Sequence, residues 1–320
     1  MTMTSRDPLD LDAKAYAALL DPDYCRAAAS VPGVDLDWAR EPPARLRAAY
    51  AAAADARRSP IADGVDCTPW TDAAGALLGL AFEPRGATRD RAVLYLHGGG
   101  WIVGSPDTHR GPCSHLARQS GWAVYSASYR LAPEHPYPAQ VEDARRALST
   151  LLAANPEVDV CFAGDSAGAA LAFWTAAALT PPERARITGI CGFYGAYGLR
   201  ESASFTRFGP VCPGLGARDL AAYRSYLAPA GSLQPPSIIE SATSEGPPVL
   251  LYAAALDPLR DDSFALAARL AVLGRSVEVL EASRLPHGFL HLAGRASAVD
   301  DVIAGAGNWI SMLRRRGARA

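Results

Sequence analysis

Long apolar runs are missing from this 320-residue chain: no stretch approaches the roughly 20 residues that a membrane-crossing helix needs. The first eight residues, Met1 to Pro8, also lack the basic start and apolar core of a secretory signal, so the expectation is a cytoplasmic protein without membrane insertion. Lysine is almost absent. Lys14 is the only one among 31 basic residues, a bias that accompanies the alanine-rich segments and carries no functional information. Excess charge of either sign is lacking too: the net charge of -2 offers no electrostatic basis for binding nucleic acid or an anionic membrane. The six cysteines form no C-x-x-C pair, and no histidine stands at metal-ligand spacing from them. They read as small core residues, Cys161 and Cys191 most clearly because both fall inside apolar runs. There is no G-x-G-x-x-G spacing, no P-loop lysine and no internal repeat, so no metal or cofactor is implied.

What is present is an alternation of short apolar runs and longer helical patterns. Residues 1–60 carry helical patterning with breaks at Pro32-Gly33 and Pro42-Pro43 and no strand pattern, which predicts an amino-terminal helical segment. From residue 61 onward the pattern becomes that of one catalytic-sized domain. Residues 65–70 and 76–82 predict a hairpin turning at 72–75, and apolar runs follow at 92–96, 123–127, 158–163, 187–194, 248–254 and 276–280. Helices are predicted between them at 108–120, 139–154, 167–180, 263–273 and 298–315. Eight strands alternating with helices imply an α/β fold, a mostly parallel doubly wound sheet whose hairpin adds antiparallel strands at one edge. Residues 195–245 interrupt the alternation with many prolines and glycines, several aromatics and one predicted helix at 217–227, and they read as an insertion over the carboxyl edge of the sheet.

Candidate chemistry sits where strands end. Gly164-Asp165-Ser166-Ala167-Gly168 lies between an apolar run and a helical one, and glycines on both sides of a serine are what a strained strand-to-helix turn requires. A serine hydroxyl needs a base, and the base needs an acid to orient it. His287, in Leu285-Pro286-His287-Gly288-Phe289, follows the last run and is favoured as base over its neighbour His291, because Gly288 leaves its ring accessible. Asp257 ends the 248–254 run before Pro258 and is the candidate acid, whereas Asp261 and Asp262 at the next helix start suit helix capping. The order Ser166, Asp257, His287 is that of α/β-hydrolases. His97-Gly98-Gly99-Gly100-Trp101 follows another strand, and its consecutive glycines can turn backbone N–H groups into a cavity that, with the N–H of Ala167, would stabilise an oxyanion. His97 reads as scaffold for that loop.

On these residues, together with residues 129–139 (Tyr129, Arg130, Glu134 and the prolines around them), Asp257-Pro258-Leu259-Arg260-Asp261-Asp262 and His287-Gly288-Phe289, the chain resembles the hormone-sensitive lipase-like family of α/β-hydrolase carboxylesterases from about residue 76 to its end. The resemblance implies Gly99, Gly100 and Ala167 as oxyanion donors, Gly98 and Gly99 being the other register. It implies a cap over the acyl and alcohol pockets from the amino-terminal helices and residues 195–245, and it makes Arg130 and Glu134 scaffold positions. A charged pair among prolines reads the same way, as the brace of a loop. The expected activity is hydrolysis of carboxylic esters of small or medium-sized molecules through an acyl-enzyme, by a monomer or homodimer. Two rivals use the same fold: a tailoring acylase (amidase, deacetylase or acyltransferase) with the same three residues, and a non-catalytic small-molecule receptor, which the presence of His287 disfavours. Which of Trp101, Tyr197, Phe205, Phe208 and Tyr223 line the pocket depends on packing.

Overall fold

Strands that are apolar on both faces belong inside a sheet covered on both sides, and three runs at the centre of the sheet meet that condition, as does the neighbouring 249–256 run. In the computed structural model, which describes residues 11–29, 36–199 and 201–314, the three central runs are β3 (Arg91–Leu96), β5 (Asp159–Asp165) and β6 (Ile187–Phe193), the last buried at every position. The others are β1 (Val65–Thr71), β2 (Leu77–Pro84), β4 (Ala123–Ala127), β7 (Val249–Leu256) and β8 (Val277–Pro286). All eight form one sheet in the order β1-β2-β4-β3-β5-β6-β7-β8. β1 and β2 pair antiparallel, β2 meets β4 antiparallel, and every other pairing is parallel. The strand expectations hold to within two residues, except that β8 runs six residues past 280, because an edge strand with polar Glu281, Ser283 and Arg284 is half exposed and shows no apolar run there.

Alternation along the strands sorts the core onto two faces. Leu94, Leu96, Val160 and Phe162 pack under the helices Ala139–Ala154, Ala167–Ala178 and Arg260–Val272. Val93, Tyr95, Cys161 and Cys191 face the helices Arg110–Ser120 and Ser297–Met312 instead. The helix expected to reach Arg315 ends at Met312, and Arg315 lies outside the described residues. β3 pairs with β4 on one side and β5 on the other, so the chain reverses its direction of travel between β3 and β5, and a crevice opens there at the carboxyl ends of the strands.

The amino-terminal segment forms the helices Ala13–Leu19, Pro22–Ala29 and Pro43–Arg57, while the Pro32-Gly33 break falls outside the described residues. These helices are tied to the sheet end by polar contacts. The Tyr16 hydroxyl donates to the carbonyl of Leu256 at 2.8 Å, beside Asp257. Arg47 grips the carbonyls of Ile102 and Ala132, each at 2.8 Å, and both carboxylate oxygens of Glu134 at 2.6 and 2.9 Å. The expected 217–227 helix is present as Ala217–Leu227, with the short helices Ala203–Phe208 and Ile238–Ser241 on either side.

Candidate active site

β5 delivers Ser166 at the centre of the crevice. Ser166 has φ 52° and ψ -119°, a backbone conformation that side chains rarely adopt, and its N–H is held by the Phe193 carbonyl at 2.8 Å. The flanking glycines are required by packing: a Cβ on Gly164 would stand 2.6 Å from the Leu96 carbonyl oxygen, and one on Gly168 would collide with the same atom. Close approach of the β3 end to the helix start is thus what the pentapeptide encodes.

His287 leaves β8 and Asp257 leaves β7, two neighbouring strands. Asp257 is fully buried; its Oδ2 lies 2.6 Å from His287 Nδ1 and its Oδ1 accepts the Leu259 N–H at 2.8 Å. With Nδ1–H donating to Asp257, Nε2 is left to accept from Ser166 Oγ at 2.9 Å. Tyr194 packs on the imidazole, ring centroids 4.8 Å apart. His291, one turn on, is engaged elsewhere: its Nε2 meets the Tyr50 hydroxyl at 2.8 Å, and burial pushes its pKa down to about 3.

The glycine loop lies beside Ser166. Gly98 donates its N–H to Asp165 Oδ1 at 2.9 Å, so it is already spent. The Gly99 carbonyl accepts from Ile102 and Val103, both at 3.0 Å, and Gly99 and Gly100 take φ of 115° and 60°, which glycine alone adopts without strain. A Cβ on Gly99 would also collide with the Val103 carbonyl. Ala167 begins its helix, where N–H groups have no partner within the helix. His97 stacks on Tyr129 with centroids 4.1 Å apart, its Nδ1 meets the Gly98 carbonyl at 2.8 Å, and burial lowers its pKa to about 3, so it is a neutral prop for the loop.

Sequence reasoning missed a hub behind this floor. Asp165, buried within the pentapeptide, receives the Tyr95 hydroxyl at 2.8 Å as well as Gly98 N–H, and the His109 Nε2 stands 3.3 Å away without the alignment of a hydrogen bond. Burial pushes the Asp165 carboxyl up, but His109, Tyr95 and His291 together hold it well below the usual carboxylate range. The motif could have pointed to Asp165; nothing marked His109.

Two expectations change, and the open question of which aromatics line the pocket is answered. Arg130 and Glu134 do brace loops, but not with each other: Arg130 binds Asp143 and Glu142, both at 2.8 Å, while Glu134 belongs to Arg47. Asp261 and Asp262 do not cap their own helix. Asp261 accepts the Ser204 N–H at 2.9 Å, and Asp262 accepts those of Tyr197, Gly198 and Leu199 at 2.7, 2.9 and 3.2 Å, which anchors the chain after β6. Burial nevertheless pushes the Asp262 carboxyl up to about 7. Phe208 packs against Tyr16 and Leu256 away from the cavity, and Phe205 does not line it either.

Above Ser166 the crevice opens into a cavity of about 550 Å³. Trp101, Trp174, Tyr197 and Ile238 wall one side; Tyr24 and Tyr50 from the amino-terminal helices, with Trp38 from the turn before the helix Pro43–Arg57, wall the side of His287. Trp101 and Trp174 stack at 5.4 Å, and Trp174 Nε1 donates to the Pro236 carbonyl at 2.9 Å. Among the described residues, no group of three or more His, Cys, Asp or Glu is arranged to hold a metal, and no helix is long and apolar enough to cross a membrane.

Known proteins resemble this chain in sequence and fold. The sequence profile of the alpha/beta hydrolase fold matches residues 93–291. Esterase LipI of Mycobacterium tuberculosis is 34% identical over 219 residues, 65% of this chain and 68% of that protein. An acetyl esterase of Salmonella paratyphi B is 32% identical over 247 residues, 74% of this chain and 75% of its own length. An esterase from the bacterial hormone-sensitive lipase family superposes with a TM-score of 0.77 at 27% identity, covering 91% of this chain and 98% of its own. A profile match over more than half the chain, joined to relatives that are esterases, means that the chain belongs to the α/β-hydrolase fold family, among its hormone-sensitive lipase-like carboxylesterases.

Proposed function

We propose that Ser166, His287 and Asp257 carry the ester hydrolysis of this carboxylesterase, with Gly99, Gly100 and Ala167 as oxyanion donors. The observation that carries the assignment is the unbroken contact from Asp257 through His287 to Ser166, at 2.6 and 2.9 Å. Ser166 Oγ attacks the acyl carbon while its proton passes to His287 Nε2, and Asp257 stabilises the imidazolium that forms. Electrons collect on the carbonyl oxygen, where backbone N–H groups of the glycine loop and of Ala167 receive them. The C–O bond to the alcohol then breaks and His287 returns the proton to the leaving oxygen. Water, deprotonated by His287, attacks the acyl-enzyme and releases the acid and Ser166. The engagement of Gly98 with Asp165 supports the Gly99 and Gly100 register.

This chemistry orients the cavity. The leaving alcohol must lie on the His287 side, within reach of Nε2, so the acyl group points to the wall of Trp101 and Trp174. Stacked indoles there, and relatives that include an acetyl esterase, support a short acyl group. Residues 1–60 and 195–245 act as the cap over residues 61–320, a reading supported by the cavity walls that they contribute. Free cysteines support a cytoplasmic location, and a site assembled within one chain suits either a monomer or a homodimer. The test is hydrolysis of a p-nitrophenyl ester series: the protein should prefer the acetate to the octanoate, and S166A should lose the activity. Full activity of S166A would refute the assignment; negligible turnover of every ester by the folded protein would favour a tailoring acylase.

A further inference from the structure

Among the described residues, ion pairs and hydrogen bonds occupy the charged groups around the cavity with two exceptions, one of them half-buried. Asp165 is enclosed by His109, Tyr95 and Gly98, and Asp262 by three backbone N–H groups. Arg58 pairs with Asp55 at 2.9 Å and Arg47 with Glu134. Arg57 lines the cavity half-buried, and among the described residues no carboxylate or carbonyl is in reach of its guanidinium. Arg224, on the helix Ala217–Leu227, also lines the cavity without a partner but is exposed.

The position of Arg57 follows from its helix. Tyr50 and Arg57 are seven residues apart on the helix Pro43–Arg57, so they share a face, with Arg57 roughly 10 Å further along. Tyr50 contacts His291, one turn beyond His287, and the Arg295 guanidinium holds the Ala56 carbonyl, so the end of this helix stands over the His287 side. Tyr24, Trp38 and Tyr50 supply aromatic wall between the reacting serine and this cation. As the last residue of its helix, Arg57 suits the helix dipole, so no ligand is needed for the segment to fold.

We propose that the cavity takes esters whose leaving alcohol is an aromatic or similarly flat group carrying a terminal carboxylate, and that Arg57 binds that carboxylate. This inference rests on the assignment of Ser166 as nucleophile and His287 as base. A guanidinium in a partly desolvated, aromatic-walled pocket forms two parallel N–H···O bonds with a carboxylate, the planar match for which arginine is suited.

The test uses the whole protein and three aryl acetates of increasing reach: 4-acetoxybenzoate, 3-(4-acetoxyphenyl)propanoate and 5-(4-acetoxyphenyl)pentanoate, each beside its neutral primary amide. Expected is at least one pair in which the carboxylate exceeds its amide in kcat/KM by about tenfold or more, chiefly through KM. In R57A that ratio should collapse toward one, R57K should restore part of it, and rising salt should lower it in the unaltered protein. A ratio near or below one for all three pairs, or a ratio unchanged in R57A, would overturn the carboxylate inference while leaving the hydrolase intact. Failure to turn over any of the six esters would instead count against the reading of Ser166 as an esterase nucleophile, and the inference would fall with it.

Discussion

Ser166, the glycine loop and His287 form the floor of the cavity, with Asp257 buried behind His287, and these residues stand at the ends of β5, β3, β8 and β7, whose backbones are locked in one sheet. The roof is made of short helices and loops from residues 11–29, 36–57 and 201–245, held down by a few polar ties such as Tyr16 to Leu256 and Arg47 to Glu134. Positions on the floor are set by strand register and by glycines that nothing larger could replace, whereas positions on the roof are set by side-chain packing. Chemistry that tolerates little displacement therefore sits on the rigid part, and recognition sits on the part that sequence change can reshape.

Breaking the floor should have the largest effect. H287A is expected to lower kcat by about four orders of magnitude with little change in KM, measured on p-nitrophenyl acetate. Next comes the hub beneath it: D165A leaves the Tyr95 hydroxyl and the Gly98 N–H buried without their acceptor, and should cost about 3 kcal/mol of stability in urea unfolding. A smaller effect is tied to pH. His97 and His291, held neutral by burial with pKa values near 3, titrate near 6.5 once unfolded, so their contribution is complete above that pH and is lost as pH falls toward 3. Each unit of that gap amounts to about 1.4 kcal/mol per histidine at most, and H291Q should flatten the fall of Tm between pH 6 and pH 4. The mildest break is in the roof. R47A loses a half-exposed pair with Glu134 and two bonds to carbonyls, and should reduce stability by about 1 kcal/mol while raising KM more than it lowers kcat.

The same contrast governs what the sequence made legible. The parallel strands were readable because they coincide with short apolar runs, β1 and β2 because a turn separates them as a hairpin, and Ser166, Asp257 and His287 because each follows an apolar run with a turn-forming glycine or proline beside it. His287 could be preferred to His291 on accessibility alone, and the structure brings His287 to Ser166 while Tyr50 takes His291. Roof residues carry no comparable signal. Tyr24 and Tyr50 sit in helices whose composition resembles any surface helix, Trp38 sits in a turn, and Phe208 looked as eligible for the cavity as Tyr223, which does line it. Asp262 shows the limit most plainly: at a helix start it reads as a cap, yet its carboxylate reaches across to three N–H groups far away in sequence. Arg57 is equally silent, because only the fold reveals that it faces the cavity without a partner.

The most direct test of the central claim is peptide mapping after reaction with a fluorophosphonate. The account predicts one phosphonylated residue, Ser166, with labelling lost in H287A and kept in H291A. A label on any other residue, or undiminished labelling of H287A, would contradict it.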